Sequence, residues 1–524
     1  MPRRATPPDT VDTMAAGVRR WTLVSAVLGS SMAFMDGTVV NVALPAIQRS
    51  LDASGADAQW IIEAYALFLA ALLLVGGALG DRFGRKRMFL LGVAVFVLTS
   101  AACAAAQDTG QLIAARALQG IGAALLVPGS LALLGAGFPE AERGRAIGTW
   151  SAFSGITAAI GPVVGGFLVD HFSWRWAFLL NVPIGGVLVL ACLAKVPESR
   201  GAAAPGGLDL AGAALATLGL AGIVFALIEA PTRAGHEGAV VAAGLLGIAA
   251  LAGFLAWEAR ARDPMLPLAL LRNRDFAGAN LLTLLLYAAL GGGLYFVPLN
   301  LIQVQGWGAT AAGAALLPFV AIMFALSRAA GTLADRVGTK WALVAGPAIA
   351  AAGFALFARP GVGGDYWTTF FPAVCVLGLG MTITITPLTT TVMNAHGQAL
   401  AGTASGVNNA VSRAAGLLAI AALGVLLARV FDARLHAALA DPRLPRDLAD
   451  ALWQQRHKLA AIAPPAGAAP DVARQVHVLV GDAFVAGFRV AMLASAALAL
   501  ASSLSAAWLI SARPRAAQPK GPAP

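Results

Sequence analysis

Three ionisable residues interrupt otherwise apolar stretches of this chain: Asp36, Glu63 and Arg116. Carrying a charge into a bilayer costs about 2.5–3.5 kcal/mol, so each calls for a reason. Asp36 lies about nine residues from the outer end of its stretch, and Glu63 and Arg116 each lie about six residues into theirs. At 1.5 Å of helical rise per residue, all three sit roughly 9–13 Å below one surface. Facing a common cavity, the two carboxylates could take up and release a proton with the arginine as counter-ion, chemistry suited to proton coupling. The competing reading for each is a static buried ion pair that fixes helix packing.

Holding three charges at one depth takes membrane-spanning helices. The chain has 524 residues, 58% hydrophobic and 12% charged, against roughly 25% charged in soluble proteins. Its apolar runs last about 18–25 residues, enough to cross a hydrocarbon core of roughly 30 Å. They lack the polar alternation of an outer-membrane barrel, which leaves an all-α polytopic membrane protein. About fourteen runs can be read, the last two near 405–429 and 483–511. Arg3, Arg4, Arg19 and Arg20, then Arg82, Arg85, Lys86 and Arg87, then Arg260, Arg262, Arg272 and Arg274, then Arg336 and Lys340, then Arg513, Arg515 and Lys520 all fall on one face. By the positive-inside rule that face and both termini are cytoplasmic, placing the chain in a cytoplasmic (inner) cell membrane. The first run is too long for a signal-peptide core and is expected to be retained.

The net charge of +10 is spread over short loops without a basic helix, so topology and anionic lipid account for it better than nucleic acid does. Cys103, Cys192 and Cys375 sit in apolar runs at no metal-ligand spacing and read as core packing. No cofactor or metal is implied, and no nucleotide-binding motif is present. Arg328 and Arg413 lie near the cytoplasmic ends of their runs, where long side chains reach the interface. Asp209 and Glu229 bracket the seventh run and read as interfacial.

The string GALGDRFGRK at Gly77–Lys86 returns as GTLADRVGTK at Gly331–Lys340, repeating Gly77, Asp81, Arg82 and Gly84 as Gly331, Asp335, Arg336 and Gly338. The first copy adds Arg85 where the second has Thr339. Glycines permit a tight turn, Asp81 can cap a neighbouring helix N-terminus, and the cations meet lipid or acidic partners, which together make a cytoplasmic gate that breaks and reforms. A plain topology signal would explain the basic residues but not the repeated Gly, Asp and Gly. The copies stand eight runs apart instead of six, so two runs are inserted between the halves. The expected organisation is a cytoplasmic tail at 1–19, a six-helix bundle at 20–197, a linker with two inserted helices at 198–274, a second six-helix bundle at 275–511 and a tail at 512–524. Within the second bundle, 430–482 reads as a non-cytoplasmic loop with a short amphipathic stretch at Leu448, Leu452 and Trp453, passive in preference to a lid. The fifth run carries GITAAIGPVVGG at Gly155–Gly166, where Gly161, Gly165 and Gly166 allow close packing and Pro162 bends the helix, a pivot between bundles.

At these strings the chain resembles the major facilitator superfamily over nearly its whole length. Gly77–Lys86 and Gly331–Lys340 are similar to its cytoplasmic turn, and RALQGIGAA at Arg116–Ala124 to the span-four string whose arginine is implicated in proton transfer. GPVVGG at Gly161–Gly166 resembles the span-five antiporter element, and DGTVVNVALP at Asp36–Pro45 the span-one string of drug:proton antiporters. WRWAFLLNVPIG at Trp174–Gly185, DPMLPL at Asp263–Leu268 and AGTASGVNNAVSRAAG at Ala401–Gly416 resemble the fourteen-span group. Glu63, three residues after Trp60, is similar to an acid that some multidrug members carry there.

The resemblance implies two six-helix bundles plus two inserted helices, and a proton-driven exporter of lipophilic, cationic drug-like molecules working by alternating access. Its partners would be the small-molecule substrate, protons and the lipid bilayer, with a monomer as the expected state. The alternatives are a dedicated exporter of one endogenous metabolite such as an antibiotic or siderophore, a non-transporting sensor, and a membrane-embedded enzyme. The six histidines stand at no catalytic spacing, which counts against the last.

Overall fold

The computed structural model describes residues 16–200, 209–231, 237–396, 400–465 and 467–512. The tails carrying Arg3, Arg4, Arg513, Arg515 and Lys520, and most of the linker between the first bundle and the inserted helices, lie outside the described residues, as does the side chain of Asp335. Among the described residues, fourteen helices are long and apolar enough to cross a membrane. In chain order, spans one to eight are Gly17–Leu51, Gly55–Phe83, Arg85–Ala105, Thr109–Gly137, Glu142–His171, Arg175–Lys195, Leu210–Glu229 and Glu237–Glu258. Spans nine to fourteen are Arg274–Val304, Ala309–Ala334, Thr339–Phe357, Tyr366–Asn394, Gly402–Leu439 and Pro470–Leu509. Every long regular element among the described residues is helical.

Local chemistry sets where helices begin. Ser54 caps span two with a reciprocal box: its hydroxyl accepts from the Asp57 amide at 3.0 Å while the Asp57 carboxylate accepts from the Ser54 amide at 2.9 Å. Asp108 caps span four through the Gln111 amide at 2.8 Å. The helices then stay apolar on their outer faces: Leu98, Leu190, Leu246 and Trp508 are each 70% exposed or more, as lipid contact requires.

The chain divides into two compact units. Unit one is Met1–Met265 with Leu301–Ala314 and Gln454–Ala463, and unit two is the remainder. In unit one, spans two, three and four meet at glycine: a Cβ on Gly76 would lie 2.0 Å from the Ala124 carbonyl oxygen, and one on Gly122 would lie 2.7 Å from the Phe96 amide. Phe89, Phe96, Val93 and Leu126 fill the core beside that contact. The inserted pair, spans seven and eight, packs within this unit, with the Trp60 indole of span two donating to Glu229 at 3.0 Å. In unit two, spans nine and thirteen approach at Gly291 and Gly416, where a Gly291 Cβ would lie 2.7 Å from the Gly416 Cα.

The stretch expected as a loop at 430–482 is shorter than its sequence suggested. Span thirteen continues to Leu439 and span fourteen starts at Pro470, because polar residues on these extensions leave the helical backbone bonds intact. Between them the amphipathic stretch forms helix Arg446–Gln454, with Leu452 buried.

Candidate functional site

Arg116 is fully buried in span four, and its fork reaches three elements of unit one. Nη1 pairs with Asp36 Oδ2 of span one and donates to Gln119 Oε1, one turn along its own helix, at 2.8 Å. Nε donates to the Ile61 carbonyl of span two at 3.0 Å. The guanidinium lies over the Tyr65 ring, 4.3 Å from its centroid, and the Tyr65 hydroxyl is held by the Ala33 carbonyl at 3.0 Å.

Asp36 is satisfied on both oxygens. Oδ1 accepts from Gln119 Nε2 and from Asn181 Nδ2 of span six, each at 3.0 Å. The same two amides donate to Ser100 Oγ of span three at 3.2 and 2.9 Å, and the Ser100 hydroxyl donates in turn to the Phe178 carbonyl at 2.9 Å. One charge pair thus gathers side chains or backbone from spans one, two, three, four and six. Burying such a pair is tolerable only where the remaining lone pairs and protons are matched, as they are here apart from Arg116 Nη2, which has no partner among the described residues.

Glu63 stands apart. It is two residues beyond Ile61 and therefore at the depth of Arg116, but about 200° further round the helix. Both its carboxylate oxygens are buried without a hydrogen-bond partner among the described residues. The structure therefore joins two of the three expected charges and leaves the third solitary on the face of span two next to Trp60.

At Gly77–Lys86, span two runs to Phe83 and Gly84 turns the chain at φ 113° before span three begins. Arg85 donates to Asp81 at 2.8 Å across the turn. Asp81 is thereby occupied, and the expected helix cap falls to another residue. Glu198, just past span six, accepts from the amides of Lys86 at 3.0 Å and Arg87 at 3.2 Å. Lys86 Nζ donates to the Val196 carbonyl at 2.6 Å, and Arg82 is exposed. The second turn also bends at glycine, Gly338 with φ 92°, yet a Cβ there would meet nothing within 4 Å, and Gly331 and Arg336 make no comparable bolt among the described residues.

The glycines of span five serve two close approaches inside unit one. Cβ atoms on Gly161 and Gly165 would lie 2.4 Å from Thr38 Oγ1 and 2.8 Å from Val39 Cγ1 of span one. On Gly166 a Cβ would lie 2.4 Å from the Ala309 carbonyl oxygen, at the start of span ten, and the Pro162 carbonyl oxygen would lie 2.2 Å from a Cβ on Gly313. Asp170 then accepts from the amides of Ala309 and Thr310 at 3.0 and 2.8 Å.

The sequence model of the Major Facilitator Superfamily matches residues 26–420. The chain belongs to that superfamily. It is 34% identical over 97% of its length, and 95% of the relative's, to the tetracenomycin C resistance and export protein of Streptomyces glaucescens. It is 33% identical over 93% of its length, and 91% of the relative's, to the multidrug resistance protein Stp of Mycobacterium tuberculosis (strain CDC 1551 / Oshkosh). Among solved structures, a bacterial homologue of the human lysosomal transporter Spinster matches with a TM-score of 0.64 and 16% identity, covering 94% of this chain and 98% of that one, which shows the fold. As a major facilitator protein the chain is a multi-pass membrane transporter of small molecules, and its relatives are named for antibiotic and multidrug resistance and export.

Sequence reasoning passed over Gln119, Asn181, Ser100 and Glu198. Gln119 and Asn181 sit inside major facilitator strings read for other features, and the usable signal was an amide side chain in the middle of an apolar run, which must find a partner. Glu198 was legible only as an acid at the end of a helix that returns to the basic turn.

Proposed function

We propose that this transporter is a proton-coupled antiporter that exports lipophilic, cationic drug-like molecules by alternating access, with both termini in the cytoplasm of the host cell. The observation that carries the reading is the Asp36–Arg116 pair with its donors Gln119 and Asn181, buried in unit one. A proton taken up by Asp36 would cancel its charge and weaken three contacts at once. Arg116 would then be left with its contacts to Gln119, Ile61 and Tyr65, freeing spans one and four to shift relative to each other. That gives one proton-dependent element with two states, the minimum an ion-driven carrier needs. Solitary Glu63 offers a buried carboxyl whose ionised form a bound lipophilic cation would stabilise. The turn at Gly77, Asp81, Arg82, Gly84 and Arg85, with its counterpart at Gly331, Asp335, Arg336 and Gly338, is read as the cytoplasmic gate. Gly161, Pro162, Gly165 and Gly166 are read as the pivot.

The test is transport by the purified protein in liposomes under an imposed pH gradient, against a panel of dyes and antibiotics. Gradient-driven flux of several lipophilic cations, collapsed by a protonophore, is expected. Flux that ignores the gradient would overturn the coupling. The tetracenomycin C relative favours a second reading, export of a single antibiotic-type metabolite, and flux of one compound alone from the panel would select it.

A further inference from the structure

Two non-glycine residues among the described residues hold a positive φ, and they stand on either side of one contact. Asp52, at the turn between spans one and two, has φ 53°, and Leu459, in the stretch that joins spans thirteen and fourteen, has φ 56°. A β-carbon crowds the backbone in that region, and leucine lacks the side-chain oxygen by which an aspartate can offset the crowding. Lys458 donates to Asp52 at 2.5 Å. Leu459 lies over Gly55, where an added Cβ would sit 2.7 Å from its Cδ1 and 3.4 Å from the His457 carbonyl oxygen. Strain carried by both partners of a contact lowers the cost of parting them.

The piece that docks there is small and closed on itself. Gln454–Ala463 belongs to unit one, whereas the chain on either side of it belongs to unit two. The Gln455 side-chain amide donates to the Ala463 carbonyl at 3.3 Å and accepts from the Ala463 amide at 3.4 Å. Inside that clasp the Lys458 amide donates to the Gln455 carbonyl at 2.8 Å, and the Ile462 amide to that of Leu459 at 3.2 Å. The loop can therefore leave its seat as one body, with little order to lose or regain. Its two ends lead into stiff anchors. Before it, Trp453 meets His436 of span thirteen edge to face, ring centroids 5.3 Å apart, and Leu452 is buried. After it come Pro464 and Pro465, then Pro470 in the first turn of span fourteen. Such anchors hand a displacement of spans thirteen and fourteen on to the loop instead of absorbing it.

We propose that Gln454–Ala463 is a releasable strap, which clips the chain between spans thirteen and fourteen to the turn between spans one and two and unseats each time the transporter changes state. That turn lies at the end of span two opposite Gly84, so the strap works on the other side of the membrane from the Glu198 bolt. The sequence alone favours a passive loop at this place, but strain on both sides of the seat and a weak, screened ion pair suit a contact that opens. The inference rests on the alternating-access reading above and not on proton coupling.

A reversible lock tests it. A Cβ on Gly55 would lie 3.1 Å from Leu459 Cγ, the place a cysteine sulfur would take, so Gly55→Cys combined with Leu459→Cys is within disulfide reach. In liposomes without a pH gradient, the reduced double variant should pass whichever dye the wild-type protein carries down its concentration gradient. Oxidation should bring that flux to background, and reductant should restore it, with peptide mapping to show the bond between positions 55 and 459. A complete bond with flux unchanged would mean that the strap stays seated throughout the cycle, and a bond that never forms would mean that the seat is empty. Either result overturns the proposal. Gly55→Cys alone gives a readout that needs no substrate: a charged maleimide should label position 55 slowly, while the strap is off, and several-fold faster when Leu459→Ala is added. Labelling as fast as that of an open thiol in both proteins, or absent from both, would overturn the strap as well. Because no pH gradient is imposed, these failures and a failure of proton coupling are separate results.

Discussion

The interiors of the two units are built from different chemistry. Unit one buries Asp36, Glu63, Arg116 and Glu258. Among the described residues, every buried polar side chain of unit two is neutral, and its central contact is Asn408 donating to Thr283 at 2.7 Å and to Asn280 at 3.2 Å. A neutral amide network can fix helix packing but cannot change charge, so on the proton-coupled reading proposed above the coupling step belongs to the first unit. The turns repeat the contrast. Gly84 lies under the Glu198 carboxylate, which holds the amides of span three, while Gly338 turns in open space. Duplicated sequence has therefore been kept for the bend and differentiated for the bolt.

The largest effect expected from breaking this asymmetry is at Asp36. In Asp36→Asn the amide keeps the shape but can neither carry the proton nor answer Arg116, so gradient-driven flux in liposomes should fall to background while substrate binding stays measurable. Asn408→Ala in unit two should cost no more than about 1–3 kcal/mol of stability, the price of an unmatched amide partner, and should leave the dependence on pH gradient intact. Wild-type coupling in Asp36→Asn, or loss of coupling in Asn408→Ala, would erase the distinction between the units.

The turns come next in size. Gly84→Ala places a β-carbon 2.9 Å from the Glu198 carboxyl as well as imposing φ 113° on alanine, whereas Gly338→Ala imposes only φ 92°. The backbone strain is about 1–3 kcal/mol in each. The added clash should make Gly84→Ala the more costly of the two in thermal unfolding, and it should raise cysteine accessibility on the side of the membrane that carries this turn by displacing Glu198. Equal shifts for both substitutions would mean that Glu198 adds nothing to the turn.

Glu63 sharpens the comparison from within unit one. If it serves substrate charge and not the Asp36 network, Glu63→Gln should depress efflux of cationic dyes several-fold more than efflux of neutral hydrophobic compounds, in cells expressing equal amounts. Equal loss for both classes would return it to a coupling or packing role.

How much of this was readable beforehand follows from what sequence encodes locally. Fourteen spans and the bends at Gly84 and Gly338 depend on runs of apolar residues and on glycine, and both are local properties. Depth is local too, which is why Asp36, Glu63 and Arg116 could be set at one level. Azimuth is not: that Glu63 points away from Arg116 depends on how span two is rotated against span four, and Gly76 and Ala124 fix that rotation across a contact between separate helices. The same reason hid Asn181, Ser100 and Glu198, whose partners lie on other spans. Asp81 was expected to cap a helix because it can, but Arg85, four residues on, claims it first.

The smallest effect concerns a piece of chain that belongs to unit one although its flanks belong to unit two, Gln454–Ala463. It is held at the turn between spans one and two: Lys458 donates to Asp52 at 2.5 Å, and a Cβ on Gly55 would lie 2.7 Å from Leu459 Cδ1. The hydrogen bond from Lys458, and then its charge, hold the Asp52 carboxyl below its ordinary value of 3.8. A carboxyl lowered in the folded state adds stability that is fully present above its unfolded value and is lost as pH falls through the folded one. The pair should therefore be indifferent to pH from 8 down to about 5 and weaken only below about 4. Asp52 is largely exposed, so salt screens the pair, and the apolar seat of Leu459 on Gly55 carries most of the attachment. Asp52→Asn should consequently move the unfolding temperature barely above the limit of detection at neutral pH, with the difference from wild type vanishing in high salt and in acid. Gly55→Leu, which removes the seat, should shift it clearly. A large, salt-independent effect of Asp52→Asn would show instead that the ion pair, and not the apolar seat, fastens this segment to unit one.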